Sequence, residues 1–329
     1  MSMLYVDVAE VLNGDYSPPE PDVLPLSDGG FLFYSAEFNL VHGDTESGKT
    51  WLCLAAVADV LSDDGRAAII DLDHNGANSI LSRLIALGIS ADVLIDHNRF
   101  RLAEPGDGLD LKGVVTDLTT FTPDVVTIDS LGEVLPLFKF NSNNADDFTV
   151  AHTEVIKPLT RCGSCVLVVD HLAKGSDSRS FGPTGTAAKS RAVGGSSVRV
   201  TAEVPFRPGE GGKAKLELFK DRHGGVRRQF PKSQPKPVVG TFVLTPEGGD
   251  NLSYNIDPGL TVPLSKQRDI NDHEAAQDAA RLIVLCDPDV DLSVRKVRAL
   301  LKCGQARAIR ALDAYRAAAE DVPERLHAA

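Results

Sequence analysis

The sequence predicts an α/β fold: a mainly parallel sheet with helices on its faces, antiparallel strands at one edge, and a small all-helical domain at the carboxyl end. Three observations carry this. From Phe38 to Asp170 short apolar runs alternate with helix-period segments, the pattern of parallel strands joined by helical crossovers. After Gly195 the spacing shortens, and β-rich stretches are separated by Gly and Pro turns, as antiparallel additions require. From Asp272 the pattern is helical throughout.

Four regions follow. Residues 1–37, Pro-rich around Pro18 to Pro25, read as a lead-in segment that packs on the main domain. Residues 38–244 form the core, 245–271 a linker rich in turn formers, and 272–329 the helical domain. Within the core, strands are expected at Phe38–Val41, Ala67–Asp71, Asp124–Asp129 and Cys165–Asp170, and helices at Thr50–Leu61, Asn78–Leu87 and Phe148–Thr160. The shorter strands are Val198–Val204, Ala214–Lys220, Val226–Phe230 and Thr241–Leu244.

Composition narrows the function classes. The 329 residues carry a formal charge of −12, with 43% hydrophobic and 24% charged residues, an ordinary globular balance. A net acidic chain is not one that coats nucleic acid over its whole surface, but a local basic site stays open. Met1 to Glu10 lacks a basic run before an apolar stretch, and no apolar run reaches the roughly 18 residues that span a bilayer. With five cysteines, an odd number, the expectation is a cytoplasmic protein with no membrane partner and no disulfide framework. Cys162 and Cys165 form a C-x-x-C with no second pair nearby, which leads straight into a core strand.

The chemistry starts at Gly43-Asp44-Thr45-Glu46-Ser47-Gly48-Lys49-Thr50, which fits G-x-x-x-x-G-K-[ST] between a strand and a helix. Glycines let the backbone turn its N–H groups onto phosphate oxygens, and the helix that follows adds the positive end of its dipole. Lys49 reaches the outer phosphates as a point charge, and the Thr50 hydroxyl suits Mg²⁺. Asp129 ends the apolar strand Val125–Ile128, a position suited to the metal and its waters. The expected ligands are therefore a nucleoside triphosphate and Mg²⁺.

With these stretches in view, the chain resembles the RecA-like P-loop ATPase superfamily and, within it, the RepA-like group of plasmid and phage hexameric replicative helicases. The resemblance covers roughly residues 35–230. It implies that the nucleotide is ATP, and it implies further roles. In Ile69-Ile70-Asp71-Leu72-Asp73-His74, it makes Asp73 the carboxylate that polarises the attacking water, with Asp71 as the other candidate. The family usually carries Glu there, so Asp73 is a departure that bears on the rate of hydrolysis. In Val166 to Lys174, His171 matches the residue that senses the γ-phosphate. The loop Gly175 to Val193, with Arg179, Lys189 and Arg191, matches the channel loop that touches single-stranded DNA, and its local basic character suits that task. Lys220-Asp221-Arg222 matches the Lys-x-Arg element that reaches a neighbour's site. Such a finger implies a homo-oligomer, in ring form. Phe138, Lys139 and Phe140 offer either stacking and charge to a strand or anchors for their own loop.

The carboxyl-terminal region has its own signal. A helix at Ala275–Leu285 is followed by one opened by the cap Ser293, a tight break at Lys302-Cys303-Gly304, and a third helix from Gln305 to Ala319. This is a helix-turn-helix pattern. Its third helix turns Gln305, Arg307 and Arg310 towards a major groove of duplex DNA, or the trio is a helical docking module. Together the expectation is an Mg²⁺-dependent ATPase acting on DNA, a ring helicase or translocase. A slow ATP-dependent DNA-binding switch and a filament-forming recombinase are the alternatives.

Overall fold

A computed structural model describes residue 8 and residues 18–172, 186–230, 234–259, 265–286, 292–301, 303 and 305–320. The chain divides into two compact units, Pro21–Arg268 and a second that contains Asp269–Ala329.

The larger unit is built on a nine-stranded sheet. Its parallel half comprises β3 (Phe38–Gly43), β4 (Ala67–Asp71), β5 (Phe100–Ala103), β6 (Val125–Asp129) and β7 (Cys165–His171). The antiparallel half comprises β8 (Ser196–Arg207), β9 (Gly211–Asp221), β10 (Val238–Gly248) and β11 (Asn251–Pro258). The order across the sheet is β11-β10-β9-β8-β3-β7-β6-β4-β5. β8 joins β3 in parallel, and the hairpins β8–β9 and β10–β11 then extend that edge. Within the parallel half, β3, β4 and β6 are buried on both faces, which explains their largely apolar runs.

The helices are α1 (Lys49–Ser62), α2 (Ala77–Ala86), α3 (Ala91–Ile95), α4 (Gly108–Phe121), α5 (Leu131–Leu137), α6 (Ala145–Ala151), α7 (Lys157–Arg161) and α8 (Ala187–Ala192). A π-turn at His152–Ile156 joins α6 to α7. α4 is capped by the Asp107 carboxylate, which accepts from Leu109 N and Asp110 N. Its partner strand β5 and α4 itself stand where the sequence outline showed no element.

α1 is apolar nearly all round, and the fold gives the reason. Leu52, Leu54, Val57 and Leu61 share one core with β8–β11 residues such as Val198, Leu216, Phe242 and Ile256, so both sides of the helix are covered. The lead-in segment completes this core. β1 (Val23–Pro25) and β2 (Phe31–Phe33) form a small antiparallel pair, and Leu24, Leu32, Phe33 and Tyr34 are fully buried. A second core, around Leu111, Ile128, Leu135 and Phe148, fills the opposite face of the parallel half.

Two expectations about this unit need correction. Val226–Phe230 is not a strand: Arg227–Gln229 form a 3₁₀ turn. Residues 245–271 are not one linker, because β10 runs to Gly248 and β11 pairs with it along its length. Leu252 and Ile256 point into the core and alternate with polar Ser253, Asn255 and Asp257. That period of two was present in the sequence but hidden among turn-forming residue types.

α9 (Ser265–Leu285) begins in the last residues of the larger unit and runs into the second, where α10 (Val294–Leu301) and α11 (Gln305–Glu320) follow it. Leu282, Leu292, Val297, Ala308 and Leu312 form their shared core. α10 and α11 match the expected second and third helices, whereas α9 begins ten residues before the expected Ala275. The charge centre here is Asp278, buried and held bidentately by Arg307 at 2.6 and 3.0 Å.

Candidate phosphate and metal site

The phosphate loop leaves the carboxyl end of β3 and feeds directly into α1. Gly48 sits at φ 95°, in the left-handed region, and the Phe206 ring lies where a side chain would go. Lys49 is 5% exposed, and its Nζ donates to Gly43 O at 3.2 Å and Asp44 O at 2.7 Å. No carboxylate lies within ion-pair distance of it among the described residues, and burial lowers its pKa. The buried Ser47 Oγ has no hydrogen-bond partner. A buried ammonium held only by carbonyls, beside an orphaned hydroxyl, is an arrangement that an anion completes.

The metal side is equally specific. Thr50 Oγ1 donates to Asp129 Oδ2 at 2.8 Å, so a hydroxyl and a carboxylate stand side by side as hard oxygen donors. Burial raises the Asp129 pKa, opposed by the Thr50 hydrogen bond. Asp71 is opposite Asp129 in the β4–β6 register. Its two oxygens accept from Asn75 Nδ2 at 3.0 Å and Gly76 N at 2.8 Å, and Asn75 Nδ2 also reaches Asp129 at 3.3 Å. Both Asp71 oxygens are thus engaged in holding the loop after β4. Asp73, by contrast, is half-exposed beside Ser130 Oγ at 3.5 Å and His171 Nε2 at 3.6 Å. Of the two acids considered for orienting water, Asp73 is the one with that freedom.

Several contributors were not singled out from the sequence. Asn75 bridges two acids, and Ser130 faces Asp73. The Arg83 guanidinium lies over the Trp51 ring at 5.3 Å, next to the phosphate loop. His42, one residue before the loop, is buried, and burial drives its pKa down to about 3. It is therefore neutral at pH 7, edge-on to Phe219 at 4.9 Å. A chemically ordinary Asn, Ser or His carries no sequence signal until the fold places it.

The basic residues divide into two groups. Lys220 Nζ donates to the carbonyls of Ser190, Arg191 and Val193 at 2.7, 3.1 and 2.7 Å, and Arg222 Nη2 to that of Arg191 at 3.3 Å. Asp221 organises their turn, accepting from Tyr34 Oη, Gly224 N and Arg227 N. Arg191 is exposed. Lys189 is not an outward strand contact: its ammonium is 2.8 Å from Asp170 with each side chain 2% exposed, so no phosphate can reach it. Arg307 likewise holds Asp278 rather than facing outward. Arg310 is half-buried, and Gln305 opens α11. Arg179 lies outside the described residues. Phe138 and Phe140 stack on each other at 5.6 Å and pack on the second core, anchors for their own loop. Cys162 and Cys165 bond to Leu159 O and Asn39, and no metal-holding cluster occurs among the described residues.

Comparison with known proteins agrees with this geometry. Residues 14–177 match a family model described as an AAA domain. Protein RecA of Mesomycoplasma hyopneumoniae (strain 7448) is 29% identical over 122 residues, 37% of this chain and 34% of that protein. Protein RecA of Crocosphaera subtropica is 30% identical over 107 residues, 32% of this chain and 28% of that protein. The chain thus spans about a third of the length of these curated relatives. Among solved structures, a KaiC-like protein from the hyperthermophilic archaeon Pyrococcus horikoshii OT3 shares the fold, with a TM-score of 0.51 at 11% identity, over 73% of this chain and 99% of that one. The solved structure shows a shared fold, and the matches to an AAA domain and to RecA each cover less than half of this chain. No helix among the described residues is long and apolar enough to cross a membrane.

Proposed function

We propose that this protein is an Mg²⁺-dependent ATPase that works on DNA as a ring-forming helicase or translocase. Lys49 and the loop amides hold the phosphates, and Thr50 and Asp129 hold the metal. The bound metal would neutralise charge on the outer phosphates. Asp73 orients water, and His171 responds to loss of the γ-phosphate. Lys220 and Arg222 act on the next subunit's nucleotide.

One observation carries the oligomeric part. Through the β3–β8–β9 register, Lys220 is level with Leu40, three residues before Gly43. The phosphate loop leaves the carboxyl end of the same strand. That offset, with both side chains held on the carbonyls at the end of α8, favours delivery of the Lys-x-Arg turn to a head-to-tail neighbour. Single-stranded DNA runs along the loop that carries Arg179 and Arg191. The α10–α11 pair, with Gln305 and Arg310, directs the assembly to duplex DNA.

Mixing subunits tests this. Lys49→Ala and Arg222→Ala proteins are each inactive alone, yet in mixture an intact site forms where the second supplies the phosphate loop and the first the finger. Regained ATP turnover, stimulated by single-stranded DNA, is the expected result. No regain, with a monomer by light scattering in an ATP analogue, overturns the shared site.

A slow binding switch is the second reading, favoured by the short Asp73 side chain set against His171. A strand-displacement assay separates the two, since a switch binds DNA in response to ATP and unwinds nothing. Filaments instead of rings by electron microscopy would move the protein towards a recombinase.

A further inference from the structure

We propose that Lys189 is a positioning residue for the phosphate-sensing end of β7, and that α8 is a strut linking that end to the Lys220–Arg222 turn. The inference rests on the reading of His171 as a γ-phosphate sensor.

The strut is held by two sets of contacts, one on the Lys189 side chain and one on the carbonyls that follow it. In the first, Asp170 binds two groups at once: Oδ2 takes the Lys189 ammonium at 2.8 Å, and Oδ1 accepts the backbone N–H of His171 at 2.9 Å. The His171 side chain then leaves the sheet towards Asp73. In the second, the carbonyls of Ser190, Arg191 and Val193 receive Lys220. An ammonium has three donors, and all three of these go to the end of α8. Both sets of contacts lie on one six-residue helix and the residue after it: Lys189 is followed directly by Ser190 and Arg191, and Ala188 and Val193 pack on the second core.

The energetics argue for position over stability. Burying an ion pair costs desolvation that rivals its attraction, and apolar residues of equal size hold two elements together as well. What the pair adds is direction. The ammonium can sit only where the carboxylate is, and the carboxylate is set by the peptide group of His171. A shift of His171 towards or away from a phosphate therefore moves Lys189, and with it the carbonyls that hold Lys220. Lys220 reaches a neighbour's phosphate only by leaving α8, so the placement of α8 governs its release. The coupling runs through an ion pair and direct hydrogen bonds, a physical link rather than spatial proximity alone.

The test uses the paired variant Asp170→Asn/Lys189→Met, which removes both charges, keeps an acceptor for His171 N–H and leaves no unpaired buried ion. Calorimetric titration with Mg²⁺ gives the affinities for ADP and a non-hydrolysable ATP analogue. We expect ADP affinity within about twofold of the parent and a preference for the analogue lowered about tenfold. His171→Ala should lower it equally, and the triple variant no further. Parental preference in the paired variant, alongside a loss in His171→Ala, overturns the strut. If His171→Ala itself changes nothing, the sensor reading falls and the strut falls with it. Hydrogen exchange on the parent protein needs no variant to fold. Amides of residues 187–192 should change protection with the analogue and not with ADP, and identical protection in both states overturns the proposal.

Discussion

Lys49 and Lys189 are both buried lysines, and they differ in what faces them. Lys49 has two backbone carbonyls and no carboxylate within ion-pair distance among the described residues. Lys189 has Asp170 at 2.8 Å. Leaving a buried ammonium without a counter-ion is costly, and a chain that does so has reserved the place for an anion from outside. A buried ammonium with its counter-ion already present is satisfied, and its role is architectural. The sequence motif around Lys49 and the basic loop around Lys189 both suggested phosphate. Only the first region withholds the internal partner.

The largest effect that would break this comparison is at the phosphate loop. Lys49→Ala should lower nucleotide affinity or turnover by at least about 100-fold, while leaving thermal unfolding close to that of the parent, because no direct ion pair is broken and only the longer-range attraction to Asp129, Asp73 and Asp44 is lost. Calorimetric binding and an unfolding scan together check it; ordinary turnover in Lys49→Ala would undo the site. The reverse holds for Lys189. Lys189→Ala strands the Asp170 carboxylate and should destabilise the larger unit by about 3–5 kcal/mol. The paired Asp170→Asn/Lys189→Met variant should recover most of that in urea unfolding. Equal stability of Lys189→Ala and the parent would show that the ion pair is not closed in solution.

A third charge, partly buried, sharpens the contrast, because it serves neither a ligand nor a counter-ion. Asp59 on α1 hydrogen-bonds Tyr254 of β11, and burial together with the Asp63 charge raises its pKa to about 6. The folded value lies above the unfolded one, near 3.9. The folded state thus binds the extra proton between about pH 4 and 6, and stability falls as pH rises through that window. Below it the penalty is absent, and above it the penalty is complete. Asp59→Asn should therefore stabilise the protein at pH 7.5 by about 1–3 kcal/mol and leave it nearly unchanged at pH 4. A stability difference that does not vary between those pH values would mean that the Asp59 pKa is not raised in the folded protein.

What the sequence could show follows from the range of the interactions. The phosphate loop, α1 and the acid ending β6 were legible because each is defined within a few adjacent residues: a turn, a helix start, a strand end. Asp129 meeting Thr50 follows from two such local statements once β3 and β6 share a sheet. The facing of Lys189 was not legible. Ala187–Ala192 is small and mixed, with Lys189 and Arg191 two positions apart on a helix, and only Asp170 on another element decides which one turns inward. β11 was missed for a similar reason. Its turn formers Gly248, Gly249 and Asp250 make a hairpin rather than a linker, a choice fixed by β10 and the core beneath it. Arg307 was misjudged because its partner Asp278 lies 29 residues earlier in the chain.

The smallest expected effect is the closest form of the comparison, since Arg191 shares a helix with Lys189 and is exposed where Lys189 is buried. Its carbonyl holds Lys220 and Arg222, but that contact belongs to the backbone and survives a change of side chain. Arg191→Ala should therefore alter stability by no more than about 0.5 kcal/mol. If single-stranded DNA passes this loop, the same change removes one phosphate contact, so binding weakens for every sequence alike and the salt slope falls by about one unit. Fluorescence anisotropy against salt concentration reads both quantities. A slope equal to the parent's would leave the basic character of this helix to the inward Lys189 alone, and would remove Arg191 from the DNA path.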